Sequence, residues 1–119
     1  MARILLVGDS KTSRKILKAI LEQAGHKIVG EAVNGKDGIQ KFKELEPDIT
    51  TMDITMPVLD GLEALKEITS YDNNAKVIMV TAAAQKHKMV DAVKYGAAEF
   101  IAKPFKENQI LDIIDKVLG

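Results

Sequence analysis

Short apolar runs alternate with longer stretches of helical period along the whole chain. Ile4-Leu5-Leu6-Val7 predicts a buried strand that stops at Gly8-Asp9-Ser10. From Thr12 or Ser13 onward, Ile16, Leu17, Ala19, Ile20, Leu21 and Ala24 recur at helical spacing, and Gly25 supplies a natural stop. Lys27–Ala32 predicts a second strand. Lys36 to Leu45 predicts a helix with Ile39, Phe42 and Leu45 on one face, and Pro47 lies just beyond it. Ile49 to Met52 predicts a third strand ending at Asp53, and Gly61 to Ile68 a helix carrying Leu62, Leu65 and Ile68 inward. Val77-Ile78-Met79-Val80 predicts a fourth strand closing at Thr81. Gln85 to Tyr95 reads as a helix ended by Gly96, Glu99 to Ala102 as a short fifth strand, and Glu107 to Leu118 as the last helix.

Five strands that alternate with five helices make an α/β chain of (βα)5 type. Continuously apolar strands joined by crossover helices require a parallel, doubly wound sheet covered on both faces. Ligand sites in such sheets lie outside the carboxyl ends of the strands, at the switch point of the strand order. The residues just after each strand are therefore the candidates. They are Gly8-Asp9-Ser10 after the first, Asp53 after the third, Thr81-Ala82-Ala83 after the fourth and Lys103-Pro104-Phe105 after the fifth.

Composition narrows the chemistry. The 119 residues are expected to form one domain, 1–119, with no output domain after the last helix. Hydrophobic residues make up 46% of the chain, enough to argue against disorder. The absence of cysteine excludes a disulfide scaffold, a thiol nucleophile and a Cys-based metal site. His26 and His87 are the only histidines, and neither is assigned a role. Seventeen basic and seventeen acidic residues cancel, which argues against a nucleic-acid binder. No apolar run approaches the ~18 residues of a membrane span, and the start lacks a signal-peptide pattern. A soluble, cytoplasmic protein is expected. Charge is unevenly spread: residues 31–76 carry ten acids and five bases, whereas residues 1–27 carry Arg3, Lys11, Arg14, Lys15, Lys18 and Lys27 against Asp9 and Glu22, which makes the first helix basic. Such a basic helix reads as a solvated face or as a surface for an acidic partner.

Two carboxylates, a hydroxyl and an ammonium converge on one mouth. Neighbouring carboxylates repel unless a cation lies between them, and an all-oxygen site suits Mg²⁺. A lysine is a compact charge for a phosphoryl oxygen, and a carboxylate can act as a nucleophile and form an acyl phosphate. Over its whole length the chain resembles the receiver domain of two-component response regulators, nearest to the stand-alone chemotaxis type. The resemblance is carried by Leu6-Val7-Gly8-Asp9-Ser10, Asp48-Ile49-Thr50-Thr51-Met52-Asp53-Ile54-Thr55-Met56-Pro57, Asp60-Gly61, Thr81-Ala82 and Lys103-Pro104-Phe105.

The resemblance implies a flavodoxin-like sheet of order 2-1-3-4-5 and a phosphoacceptor signalling module rather than an enzyme. It implies that a histidine kinase phosphorylates Asp53 and that Asp9, Asp53 and the backbone carbonyl of Thr55 hold Mg²⁺. It further implies that Lys103 and Thr81 meet the phosphoryl group and that Phe100 is the aromatic switch on the fifth strand. A cis Lys103–Pro104 bond is usual in such domains. A downstream target protein would meet the face made by the fourth helix, fifth strand and fifth helix, around Lys86, Lys88, Met89, Lys94, Tyr95, Phe100 and Lys106. The domain is expected to be a monomer, to bind no nucleic acid and to touch no membrane.

One residue departs from the pattern. Receivers carry two acidic residues after the first strand, and here the first is Gly8. Its loss is expected to weaken Mg²⁺ binding, and it keeps open a degenerate pseudo-receiver that binds its partner without phosphorylation. Thr55 and Ala83 offer little to orient an attacking water, so an acyl phosphate is expected to be long-lived. A remote alternative is a flavodoxin-like FMN binder, which Ser10, Thr12 and Ser13 suggest. Asp9 and the absence of tryptophan oppose it. A dehalogenase-type phosphotransferase wants Asp-x-Asp, which Asp53-Ile54-Thr55 breaks.

Overall fold

The computed structural model describes residues 1–119. Its elements in chain order are β1 (Arg3–Val7), α1 (Lys11–Gln23), β2 (Lys27–Ala32), α2 (Gly35–Leu45), β3 (Ile49–Asp53), α3 (Gly61–Tyr71), β4 (Val77–Thr81), a 3-10 turn (Ala83–Lys88), α4 (Met89–Lys94), β5 (Glu99–Ala102) and α5 (Glu107–Leu118). The five strands form one parallel sheet of order β2-β1-β3-β4-β5.

Successive residues of a strand face opposite sides, so one continuous apolar strand feeds two cores. Leu5, Val7, Met52 and Met79 pack with Ile39 and Phe42 of α2, Leu65 and Ile68 of α3 and Ala92 of α4. Ile4, Leu6, Ile78, Val80 and Ile101 pack on the other side with Leu17 and Leu21 of α1 and Ile110 and Ile114 of α5. The helices on both faces are the physical reason the strands lack alternation.

The helix starts follow local capping chemistry. Ser10 Oγ accepts from Ser13 N at 3.2 Å, Asn34 Oδ1 from Asp37 N at 2.8 Å, and Asp60 Oδ1 from Glu63 N at 3.0 Å. Because Ser10 caps α1, the Asp9 carboxylate stays free of that duty. α1 and α4 run into Gly25 and Gly96, at φ +93° and +95°.

The fourth helix differs from the expectation of Gln85 to Tyr95. The chain first makes a 3-10 turn and turns α-helical only from Met89 to Lys94. Lys86, His87 and Lys88 give the turn no apolar residue to bury, and none of its residues is buried. Only Ala92 of α4 reaches the core. With so little tertiary support, the tighter turn persists at the helix start. His26 is half-buried, and its Nδ1 accepts from Ala2 N at 3.0 Å, fastening the start of the chain.

Candidate functional site

Register places the strand-end residues together. Asp53 pairs with Val80, and Thr81 with Ala102, so β3, β4 and β5 end at nearly one level. Lys103 follows directly, its N–H donating to the Thr81 carbonyl at 2.8 Å. The Lys103–Pro104 peptide bond is cis.

Asp53 lies at the centre, with only 7% of its surface exposed. Burial is the main reason its pKa is raised, from an ordinary 3.8 to about 6; the Lys103 ammonium pulls it down, Asp9 pushes it up and the Arg14 guanidinium pulls it down. Lys103 Nζ stands 3.9 Å from Asp53 Oδ2. A carboxylate kept from water, yet mostly ionised at neutral pH, has chemistry suited to a nucleophile.

Two glycines make room for it. A Cβ on Gly61 would stand 1.9 Å from the Asp53 carbonyl oxygen, so the start of α3 packs under the end of β3 only with glycine there. A Cβ on Gly8 would stand 2.6 Å from Asp53 Oδ2 and 2.9 Å from its Cγ. The Asp53 carboxylate thus leans over the residue where the receiver pattern has an acid.

Thr81 is buried, and its hydroxyl donates to the Ala82 carbonyl at 3.1 Å. Asp9 and Thr55 are exposed at the rim. Phe100 is half-buried, opposite Met79 in the register, and packs against the core on the α2–α3–α4 face. The site therefore brings Asp53, Lys103, Thr81 and Asp9 to one mouth, while Phe100 stands a strand away.

Two further residues belong to this site. Arg14 looks in sequence like part of a solvated basic face, yet its side chain is only 13% exposed. It donates to the Gly8 carbonyl at 2.6 Å and pairs with Glu31 at 3.0 Å. Gln85, read as an ordinary helix residue, donates from Nε2 to Thr55 Oγ1 at 2.7 Å. It supplies a polar group two residues beyond the apolar Ala83. No motif flags either residue. Arg14 could have been singled out only by its place one turn into the helix that follows the first strand.

Asp9, Asp53 and the Thr55 carbonyl are hard oxygen donors. Mg²⁺ is commonly held by one or two carboxylates and keeps several waters, so this donor set fits it. With glycine at position 8, no group of three acidic, histidine or cysteine side chains stands together. The surface grooves are lined by other residues, and none by Asp53, Thr81 or Lys103.

The family model described as "Response regulator receiver domain" matches residues 4–115. The chain belongs to the response regulator receiver family. It is 45% identical over 115 residues to the chemotaxis protein CheY of Thermotoga maritima, covering 97% of this chain and 96% of that protein. It is 46% identical over 117 residues to the CheY of Bacillus subtilis, covering 98% of each. Its fold superposes with a TM-score of 0.93 on a chain of the CheX–CheY–BeF3–Mg²⁺ complex from Borrelia burgdorferi. That match is 34% identical and covers 98% of this chain and 89% of the other. The receiver is thus CheY-like, a type that acts as a signalling module. No helix is long and apolar enough to cross a membrane.

Proposed function

We propose that this receiver is a phosphoacceptor: Asp53 takes a phosphoryl group from a histidine kinase, and the domain then changes its affinity for a target protein. The observation that carries this reading is the buried Asp53 carboxylate, at the strand end, with Lys103 Nζ 3.9 Å away. An Asp53 oxygen attacks phosphorus as the P–N bond to the phosphohistidine breaks, and the electron pair leaves with the imidazole nitrogen. Lys103 holds a phosphoryl oxygen by charge. Asp9, Asp53 and the Thr55 carbonyl hold Mg²⁺, which when bound neutralises charge on the phosphoryl oxygens. The similar complex from Borrelia burgdorferi is named with Mg²⁺ and beryllofluoride, which supports a metal-assisted reading.

Incubation with acetyl phosphate and Mg²⁺ followed by intact-mass measurement tests the proposal. A gain of about 80 Da in the parent and none in Asp53→Ala is the expected result. A second reading, the pseudo-receiver, is favoured by Gly8 alone; it requires no mass gain while partner binding persists.

The partner surface follows from exposure. The outer side of α4 presents Val90 and Val93, 64% and 61% exposed, beside Lys94 and Tyr95. Apolar residues exposed among cations suit a protein partner with apolar and acidic groups. In this mechanism the Thr81 hydroxyl leaves the Ala82 carbonyl for the phosphoryl group, and Phe100 fills the space released beside β4. A coupling of about 1–3 kcal/mol is the usual range for such a device. Beryllofluoride is expected to move NMR signals of Phe100 and α4 in the parent, and to move only the strand-end loops in Thr81→Ala. Equal remote shifts in both proteins would remove Thr81 from the route.

A further inference from the structure

The Gln85 side chain is bonded at both ends. Its Oε1 accepts from Ala82 N at 3.0 Å, and its Nε2 donates to Thr55 Oγ1 at 2.7 Å. One amide thus spans from the segment after β4 to the segment after β3. Lys88 Nζ, from the same turn, reaches the same Thr55 hydroxyl at 3.4 Å.

The direction of the Ala82 N–H follows from strand alternation. The Val80 carbonyl accepts from Ile54 N, toward β3, and the Thr81 carbonyl accepts from Lys103 N, toward β5. Ala82 is extended, at φ −94° and ψ 162°, so its N–H turns back to the β3 side. It is the first donor beyond the ladder on the side where Asp53 ends its strand. A phosphoryl group on Asp53 brings three strong acceptor oxygens to that place. Gln85 already occupies the donor.

We infer that Gln85 is a clasp that closes the acceptor site before phosphorylation and must release Ala82 N–H for the phosphoryl group to settle. The clasp rests on Asp53 being the phosphoacceptor. Gln85 is a positioning residue: it acts through Ala82 and Thr55 and touches no reacting atom. In the reaction with acetyl phosphate an Asp53 oxygen forms the new O–P bond, the P–O bond to acetate breaks, and acetate leaves with the electron pair. Removing the clasp leaves this chemistry intact and removes a competitor for one backbone donor. The gain is that of one neutral hydrogen bond, about fivefold in rate and in beryllofluoride affinity.

The test compares the parent with Gln85→Ala and Gln85→Met in acetyl phosphate and saturating Mg²⁺, timed by intact mass. Methionine keeps the length and removes both hydrogen bonds. Both variants are expected to gain mass about fivefold faster than the parent. Rates equal to or below the parent's in both variants would overturn the clasp. So would a faster Gln85→Ala beside an unchanged Gln85→Met, because bulk rather than hydrogen bonding would then be the shield. Hydrogen exchange of the Ala82 amide without any phosphodonor separates the two ideas. Faster exchange in Gln85→Met supports the clasp and unchanged exchange overturns it, whereas a parent that gains no mass overturns the phosphoacceptor reading, and the clasp falls with it.

Discussion

Replacing Asp53 by Asn is expected to stabilise the metal-free protein at pH 8, with the gain disappearing in acid. The cause is the burial that raises the Asp53 pKa from 3.8 to about 6. Above the higher value the carboxylate is charged in both folded and unfolded chains, and only the folded chain holds that charge away from water. Below the lower value it is protonated in both, and the difference vanishes. Between the two, the folded protein binds more protons than the unfolded one, so stability falls as pH rises through this window. A shift of about two units corresponds to roughly 2–3 kcal/mol.

The shift already sets the attraction of Lys103 and Arg14 against burial, and the isosteric amide keeps the shape and removes the charge but must itself be desolvated. A net gain of roughly 1–2 kcal/mol, or about 4–8 °C in melting temperature, is therefore expected at pH 8 in EDTA. Thermal or urea unfolding of both proteins from pH 3.5 to pH 8 measures it. A constant difference across that range, or a less stable Asn variant at pH 8, would show that Asp53 is not strained by its charge. The result bears on function because the same frustration favours any partner that neutralises the carboxylate, whether a cation or a covalent phosphoryl group surrounded by donors.

The order of strands and helices is legible in the residues because β1 and β4 carry short unbroken apolar runs, β2, β3 and β5 are short segments set between helical patterns, and each long helix carries a clean stripe. The Asp53, Thr81 and Lys103 mouth is legible for the same reason: once the sheet is parallel, the strand ends must share one edge. The start of α4 is hidden, since Lys86-His87-Lys88 has helical propensity but nothing to bury. Arg14 is hidden because a lysine-rich helix looks uniformly solvated, and only the folded chain brings its guanidinium onto the Gly8 carbonyl. Gln85 is hidden because its hydrogen bond to Thr55 crosses 30 residues of sequence. Gly8 is legible only by half. In the sequence it is a missing acid, whereas in the fold it is also the space that the Asp53 carboxylate occupies.

That double role gives Gly8→Asp opposite effects with and without metal. A Cβ at position 8 would meet Asp53 Oδ2 at 2.6 Å, closer than atoms rest, so the Asp53 carboxylate must rotate away. Little space is available, because Asp53 is 7% exposed and is flanked by Lys103. The new carboxylate also adds a like charge beside one already held in its charged form against burial. In EDTA the variant is expected to be less stable than the parent by roughly 1–3 kcal/mol. In Mg²⁺ the third carboxylate would add a hard oxygen and a negative charge beside the proposed metal, and the ion would offset the repulsion. The variant is expected to bind Mg²⁺ about tenfold more tightly and to gain correspondingly more stability from it, since any ligand of the folded state alone stabilises by mass action. Gly8→Ala isolates the steric part: it should lose stability in EDTA and recover none beyond the parent's share in Mg²⁺. Calorimetric titration of Mg²⁺ together with melting curves with and without the ion measures all three proteins. A Gly8→Asp protein as stable as the parent in EDTA would show that the Asp53 carboxylate moves aside freely. Equal or weaker Mg²⁺ binding would show that glycine at this position costs the site no metal affinity.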